Sequence, residues 1–283
     1  MVEIPNICLN LTNRAENVLL VRQALAGLAE VIGLDPVELN DVSTAMTEAC
    51  NNVVLHAYGG GEGPMEVEIH ACPPALRTIV RDYGGGIRPR LQSAEQATGG
   101  IGLPVIRALA RKAEFVDLDP GPGTEVRMEF ATAKAPELEE PAVEARFEFP
   151  VSAGAQLTET MAMELAPSQL ARSVLPRVLS GLAARAHFST DRISDTQLLA
   201  DTLVNRTYGS IGASHLNVLV GVAPRMLELQ LGPLGSGRAS TLLDAPNEHE
   251  GLGGMLERLT DSYRVTPAGA SSEVLALQLA ARR

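Results

Sequence analysis

The chain has 283 residues, room for one large domain or two ordinary ones, and its 45% hydrophobic and 20% charged composition excludes disorder. A formal net charge of −11 without any Lys/Arg cluster argues against a nucleic-acid groove or an anionic membrane surface, and no apolar stretch nears the roughly 18 residues of a membrane span. Cys8, Cys50 and Cys72 lack metal-ligand spacing and form an odd set; with an acidic, polar start unlike a signal peptide, they point to a reducing, cytoplasmic setting.

The elements come twice in the same order. The first series opens with an alternating strand near Val2–Leu11 and a long amphipathic helix over Ala15–Ile32, whose Val18, Val21, Leu25, Leu28 and Ile32 share one face. A second helix is predicted from Asp41, with that aspartate as N-cap. Two strands follow, MEVEIHA and LRTIVRD, then a Gly-rich turn into the helix GGIGLPVIRALARKA, and final strands EFVDL and EVRMEF. Residues 131–145, rich in Ala, Pro and Glu, read as a linker. The second series opens with a strand near Arg146–Leu157 and continues with a helix over Ser168–Ala186 and another from Asp195, again with the aspartate as N-cap. It ends with strands LNVLVGVA and MLELQL, the helix GLGGMLERLTDS, and strands YRV and EVLALQL. The expected architecture is therefore α+β: two domains, 1–132 and 146–283, joined by a linker at 133–145. Each is a mostly antiparallel sheet with helices on one face, a layering that lets each helix bury its apolar stripe.

Four segments of the first series carry chemistry. Glu48 and Asn52 lie one turn apart on a helix, a carboxylate above a carboxamide. Such a pair suits a hydroxyl that must lose a proton and a hydrated Mg²⁺ that takes few protein oxygens, although taken alone it is also an ordinary polar helix face. Asp82 ends a strand ahead of Gly84, Gly85 and Gly86; it can accept from the exocyclic amine of adenine, or simply start a turn. Gly99, Gly100 and Gly102 lead into a helix with Pro104 in its first turn, either a phosphate cradle or a tight turn. Thr124 begins the last strand, where a hydroxyl can reach a nucleobase or a bridging water.

In that order the four segments resemble the GHKL, or histidine kinase-like, ATPase superfamily. Within it, the E-A-x-x-N-x-x-x-H-A-Y run from Glu48 to Tyr58 is similar to the RsbW/SpoIIAB-type anti-sigma-factor serine kinases. The resemblance covers residues 1–132. It implies ATP and Mg²⁺ as cofactors, Glu48 as catalytic base, and Asn52 as Mg²⁺ ligand. It further implies Asp82 as adenine contact, Gly84, Gly86, Gly100 and Gly102 as backbone of the nucleotide pocket, and Thr124 near the base. His56 and Tyr58 are read as structural. The segment from Gly86 to Thr98 is read as a lid, with Arg88 and Arg90 favoured as solvated rather than phosphate-bound. The implied activity is phosphorylation of a serine on an antagonist protein by a kinase that also sequesters a sigma factor. The alternatives are an ATP-dependent switch that sequesters a partner without phosphorylating it, and a histidine kinase-type ATPase module; the latter lacks a phosphoacceptor helix pair.

The second series has lost these residues. Thr202 and Arg206 stand where Glu48 and Asn52 would, and GPLGSG offers no aspartate, while Gly251 and Gly253 keep the turn. The expectation is a degenerate ATPase-like domain that acts structurally, imitating the second subunit of a family that works as homodimers.

Overall fold

The computed structural model describes residues 4–72, 74–85, 102–132, 138, 147–149, 157–207, 215–243, 252–269 and 271–281. The chain divides into two compact units, one over Ile7–Leu138 and the other over Glu139–Arg283 together with the first six residues.

The first unit is built from β1 (Ile7–Thr12), α1 (Ala15–Ile32), α2 (Pro36–Asn52), β2 (Pro64–Cys72), β3 (Ala75–Asp82), α3 (Gly102–Leu109), β4 (Lys112–Asp117) and β5 (Thr124–Ala131). Its strands lie in the order β4-β5-β3-β2-β1, and every pairing is antiparallel. Strand alternation decides which side is covered. Ile7, Leu9 and Leu11, Met65, Val67 and Ile69, and Leu76 and Val80 are buried on the helix side, against Leu20, Leu25 and Leu28 of α1 and Val42, Ala45 and Met46 of α2. Each fully buried aliphatic side chain contributes about 1.5–3 kcal/mol. α1 keeps the predicted bounds and stops at Gly33, which takes the left-handed conformation (φ 63°) and returns its amide to the Ala29 carbonyl.

α2 departs from the expectation. It begins at Pro36, and its N-cap is Asp35, not Asp41, which lies inside the helix. The Asp35 carboxylate accepts from the amides of Val37 (2.7 Å) and Glu38 (3.4 Å), while Glu38 accepts from the Asp35 amide (3.0 Å). This reciprocal box, with proline at the first helical position where no N–H is missed, outcompetes an aspartate six residues further in. At its other end α2 runs into a π turn over Val53–Ala57. The opening strand also starts later than predicted, at Ile7 rather than Val2.

The second unit contains β6 (Glu159–Leu165), a 3₁₀ turn (Ser168–Leu170), α4 (Ala171–Arg185), α5 (Thr190–Thr207), β7 (Leu216–Ala223), β8 (Met226–Gly235), α6 (Arg238–Leu243), α7 (Leu252–Leu259), β9 (Ser262–Pro267) and β10 (Ser272–Ala280). Its strands lie in the order β9-β10-β8-β7-β6, the connectivity of the first unit over again. Here too the predicted starts move. The first strand among the described residues is Glu159–Leu165; of the expected Arg146–Leu157, all but 147–149 and Leu157 lies outside the described residues. Of that earlier stretch, Phe147 lies over Gly232 and Leu157 over Gly221, where a Cβ would come within 3.2 Å and 2.5 Å of their side chains. α5 starts at Thr190 behind Ser189, whose hydroxyl accepts from the Arg192 amide (3.3 Å), so Asp195 is not a cap. α6 was not foreseen.

The two candidate caps of α2 separate by mutation. Asp35→Ala is expected to lower the stability of the first unit by about 1 kcal/mol, and Asp41→Ala by less than about 0.5 kcal/mol, in denaturant titrations. Equal losses would contradict the capping box.

Candidate functional site

α2 carries Val42, Ala45, Met46, Ala49 and Cys50 into the core and turns Glu48 and Asn52, both half-buried, toward the start of α3. Gly102 marks that meeting. A Cβ at this position would lie 2.8 Å from Glu48 Oε2, 3.6 Å from Asn52 Oδ1 and 3.8 Å from Asn52 Nδ2. Glycine is what lets the carboxylate, the carboxamide and the first turn of α3 share one spot. Asn52 Nδ2 is buried and makes no hydrogen bond, an uncommon state for a polar atom. A carboxamide can turn to present either its oxygen or its nitrogen, so this group stands ready for a ligand. Cys50 is fully buried, and burial pushes its thiol up to about 12. Asn51 is half-buried.

A second group forms at the end of β3. Asp82 and Thr124 are register partners, 2% and 3% exposed, on the helix side of the sheet. The Asp82 carboxylate accepts from the Gly84 amide (3.0 Å) and from the Thr124 amide. Burial lifts its pKa above the ordinary range, and the two amides only partly offset this. Gly123, at φ 130°, precedes Thr124; a side chain there would strike the Asp82 carbonyl, 2.2 Å from its Cβ. That requirement went unnoticed in the sequence, where G-P-G was the signal.

The two groups are joined through the π turn. The Ala57 carbonyl accepts from the Gly85 amide (2.9 Å), and a Cβ at Gly84 would sit 2.1 Å from that carbonyl oxygen. The Tyr58 hydroxyl donates to the Pro64 carbonyl and accepts from the Tyr83 amide. Tyr58 thus has a bracing task, whereas His56 is exposed. Gly86, Arg88, Arg90 and Gly100, with the proposed lid, lie outside the described residues.

In the second unit the same positions hold other groups. Thr202 and Arg206 stand as far along α5 from Ser189 as Glu48 and Asn52 stand along α2 from Asp35. The Thr202 hydroxyl is returned to the Leu198 carbonyl (2.7 Å). Counted from the hairpin pairs Cys72–Ala75 and Ala223–Met226, Pro233 takes the place of Asp82. Counted back from β9 and β4, Leu252, 2% exposed, takes the place of Gly102. Between them α6 is fastened at its start by Glu273, which accepts from the Gly237 (2.9 Å) and Ala239 (3.2 Å) amides. α7 packs so tightly on its end that a Cβ at Gly253 would lie 2.7 Å from the Leu243 carbonyl oxygen.

Among the described residues no helix is long and apolar enough to cross a membrane. The histidine kinase-like ATPase domain family matches residues 11–130. The serine-protein kinase RsbW of Halalkalibacterium halodurans is 32% identical over 114 residues, covering 36% of this chain and 70% of that protein. The RsbW of Bacillus pumilus is 31% identical over 116 residues, covering 36% and 72%. The anti-sigma F factor of Thermoanaerobacter sp. strain X514 is 27% identical over 128 residues, covering 42% and 89%.

The raised pKa of Asp82 has a signed consequence. A carboxyl whose folded value exceeds its unfolded value of about 3.9 favours the fold below that pH and loses the contribution as pH climbs through the folded value. The stability of the native chain relative to Asp82→Asn is therefore expected to fall as pH rises from the ordinary aspartate range, in denaturant titrations at several pH values. A difference that is flat or rises with pH would contradict the burial of this carboxyl.

Proposed function

The chain belongs to the RsbW-like anti-sigma-factor kinases of the histidine kinase-like ATPase superfamily, and on that premise we propose that its first unit binds ATP with Mg²⁺ and phosphorylates a serine of an antagonist protein. The observation that carries this reading is the convergence of Glu48 and Asn52 on the side-chain-free Gly102. A catalytic carboxylate, a metal-competent carboxamide and a helix start share a space that any larger residue at 102 would close.

The residues fit the cofactor. Asn52, whose Nδ2 makes no hydrogen bond and whose carboxamide can turn its oxygen into the site, would hold Mg²⁺; bound there, the ion would neutralise phosphate charge and orient the phosphates. Glu48, one helical turn earlier, would take the proton of the attacking serine hydroxyl. Asp82 would accept from the exocyclic amine of adenine, and Thr124 beside it would complete the contact to the base. Gly84 lets the backbone approach the ring, and Gly102 opens the first amides of α3 toward phosphate. Gly86 and Gly100 complete the pocket in this reading. Phosphoryl transfer asks the protein mainly for positioning and charge, and these groups supply both.

The domains of this reading are 1–132 and 146–283, joined by a linker at 133–145, and the second is a degenerate copy. Its repeated strand order and aligned helix positions support duplication. Arg206 in place of a Mg²⁺ ligand, Pro233 in place of Asp82 and Leu252 in place of Gly102 support the loss of nucleotide binding. The second unit then acts structurally, in the role a second subunit plays in a homodimer. The partners are the antagonist and a sigma factor held away from polymerase, in the cytoplasm.

With a candidate antagonist, Glu48→Gln is expected to keep ATP binding and lower phosphotransfer by about 10²-fold or more, while Asn52→Ala loses Mg²⁺-dependent nucleotide binding. Unchanged transfer by Glu48→Gln would remove the carboxylate from the mechanism. Calorimetry should give one ATP-Mg²⁺ per chain; a second equivalent abolished by substitutions in the second unit would overturn the degenerate reading.

A further inference from the structure

Tyr58 stands where both halves of the site can be held at once. Its ring is wedged between two glycines: a Cβ at Gly63 would lie 2.2 Å from its Cε1, and one at Gly84 3.2 Å from its Cδ1. Its hydroxyl spans two strands, donating to the carbonyl of Pro64, the first residue of β2, and accepting from the Tyr83 amide at 2.9 Å. On the helix side, a single π turn separates it from Asn52. On the strand side, one peptide bond separates Tyr83 from Asp82. The hydroxyl stays protonated at neutral pH, because burial first, and then the neighbouring Asp82 and Tyr83, raise the phenol above its ordinary value against the opposing Tyr83 amide. It therefore donates and accepts together, which Phe cannot do.

We propose that Tyr58 is a positioning residue for base recognition, holding the strand end that carries Asp82 in register with the helix end that carries Asn52. The proposal rests on the adenine-nucleotide reading above and adds to it the group that sets base selectivity. A side chain that merely braces the fold would weaken all ligands in proportion when altered. A side chain that sets the position of Asp82 acts on the adenine contact and spares ligands that do not use it.

The experiment is an equilibrium titration of the whole chain with ATP-Mg²⁺ and with GTP-Mg²⁺, native against Tyr58→Phe, at a temperature where circular dichroism shows both folded. The native chain is expected to prefer ATP. Tyr58→Phe is expected to lose about tenfold in ATP affinity while GTP changes by less than about twofold, the loss of two hydrogen bonds felt through one contact. Gly63→Ala keeps the hydroxyl but drives the ring off its seat, and it is expected to narrow the ATP-to-GTP ratio as well. A native preference for ATP that both variants preserve, or affinities for ATP and GTP that fall in parallel, overturns the role of Tyr58 and leaves the adenine reading standing. A native chain that binds both nucleotides alike overturns the adenine reading, and the role of Tyr58 with it.

Discussion

The first unit depends on a backbone approach too close for any side chain. The carbonyl of Ala57 sits where a Cβ at position 84 would have to be, and it takes the next amide, that of Gly85, as its hydrogen-bond donor. The turn that follows α2 and the end of β3 are thereby joined by main chain in addition to the side-chain packing of α2 on the sheet, and a main-chain contact cannot be repacked around. Glu48 and Asn52 inherit their position from one side of this joint, and Asp82 from the other. Ala57 is the last residue of the π turn, so its carbonyl has no partner within the helix and is free to accept from the strand side.

The other face of the same sheet is held by charge. Arg81 lies among Glu66, Glu68 and Glu125, and Glu125 is shared with Arg127. Burial works against the guanidinium, but the three carboxylates hold it charged. Burial raises Glu66, whereas the hydrogen bond from His70 lowers Glu68. A ladder of opposite charges across adjacent strands lets buried Glu125 and half-buried Glu66 and Glu68 persist on the face opposite α1 and α2. The alternation that puts Glu66, Glu68 and Arg81 on this side puts Met65, Val67 and Asp82 on the other, so the charged layer and the site are consequences of one register.

Where a local pattern decides the structure, it could be read directly. The spacing of Val18, Val21, Leu25, Leu28 and Ile32 gave α1 its observed bounds, and the strand-end Asp82 and helix-start Gly102 were visible as punctuation. The errors share a cause: a nearby residue offered a plausible signal that a better one outcompeted. Asp41 masked Asp35, whose partner Glu38 completes the box, and Asp195 masked Ser189. Phe147 lies over Gly232 of β8, a long-range contact with no local trace. The π turn and the grip of Tyr58 depend on residues that meet only after folding. The sequence therefore brought forward Glu48, Asn52, Asp82 and Gly102 more readily than it showed what holds them in place.

Cys50 lies in α2 between Glu48 and Asn52, fully enclosed, with a thiol too basic to ionise at neutral pH. Alkylating reagents attack thiolates, so this sulfur reacts only during moments when the helix opens. Half-buried Cys8 and Cys72 lie outside that helix and react on their own schedule. The rate at which Cys50 is labelled is thus a natural clock for excursions of the very segment that carries the carboxylate and the carboxamide, with no foreign probe attached.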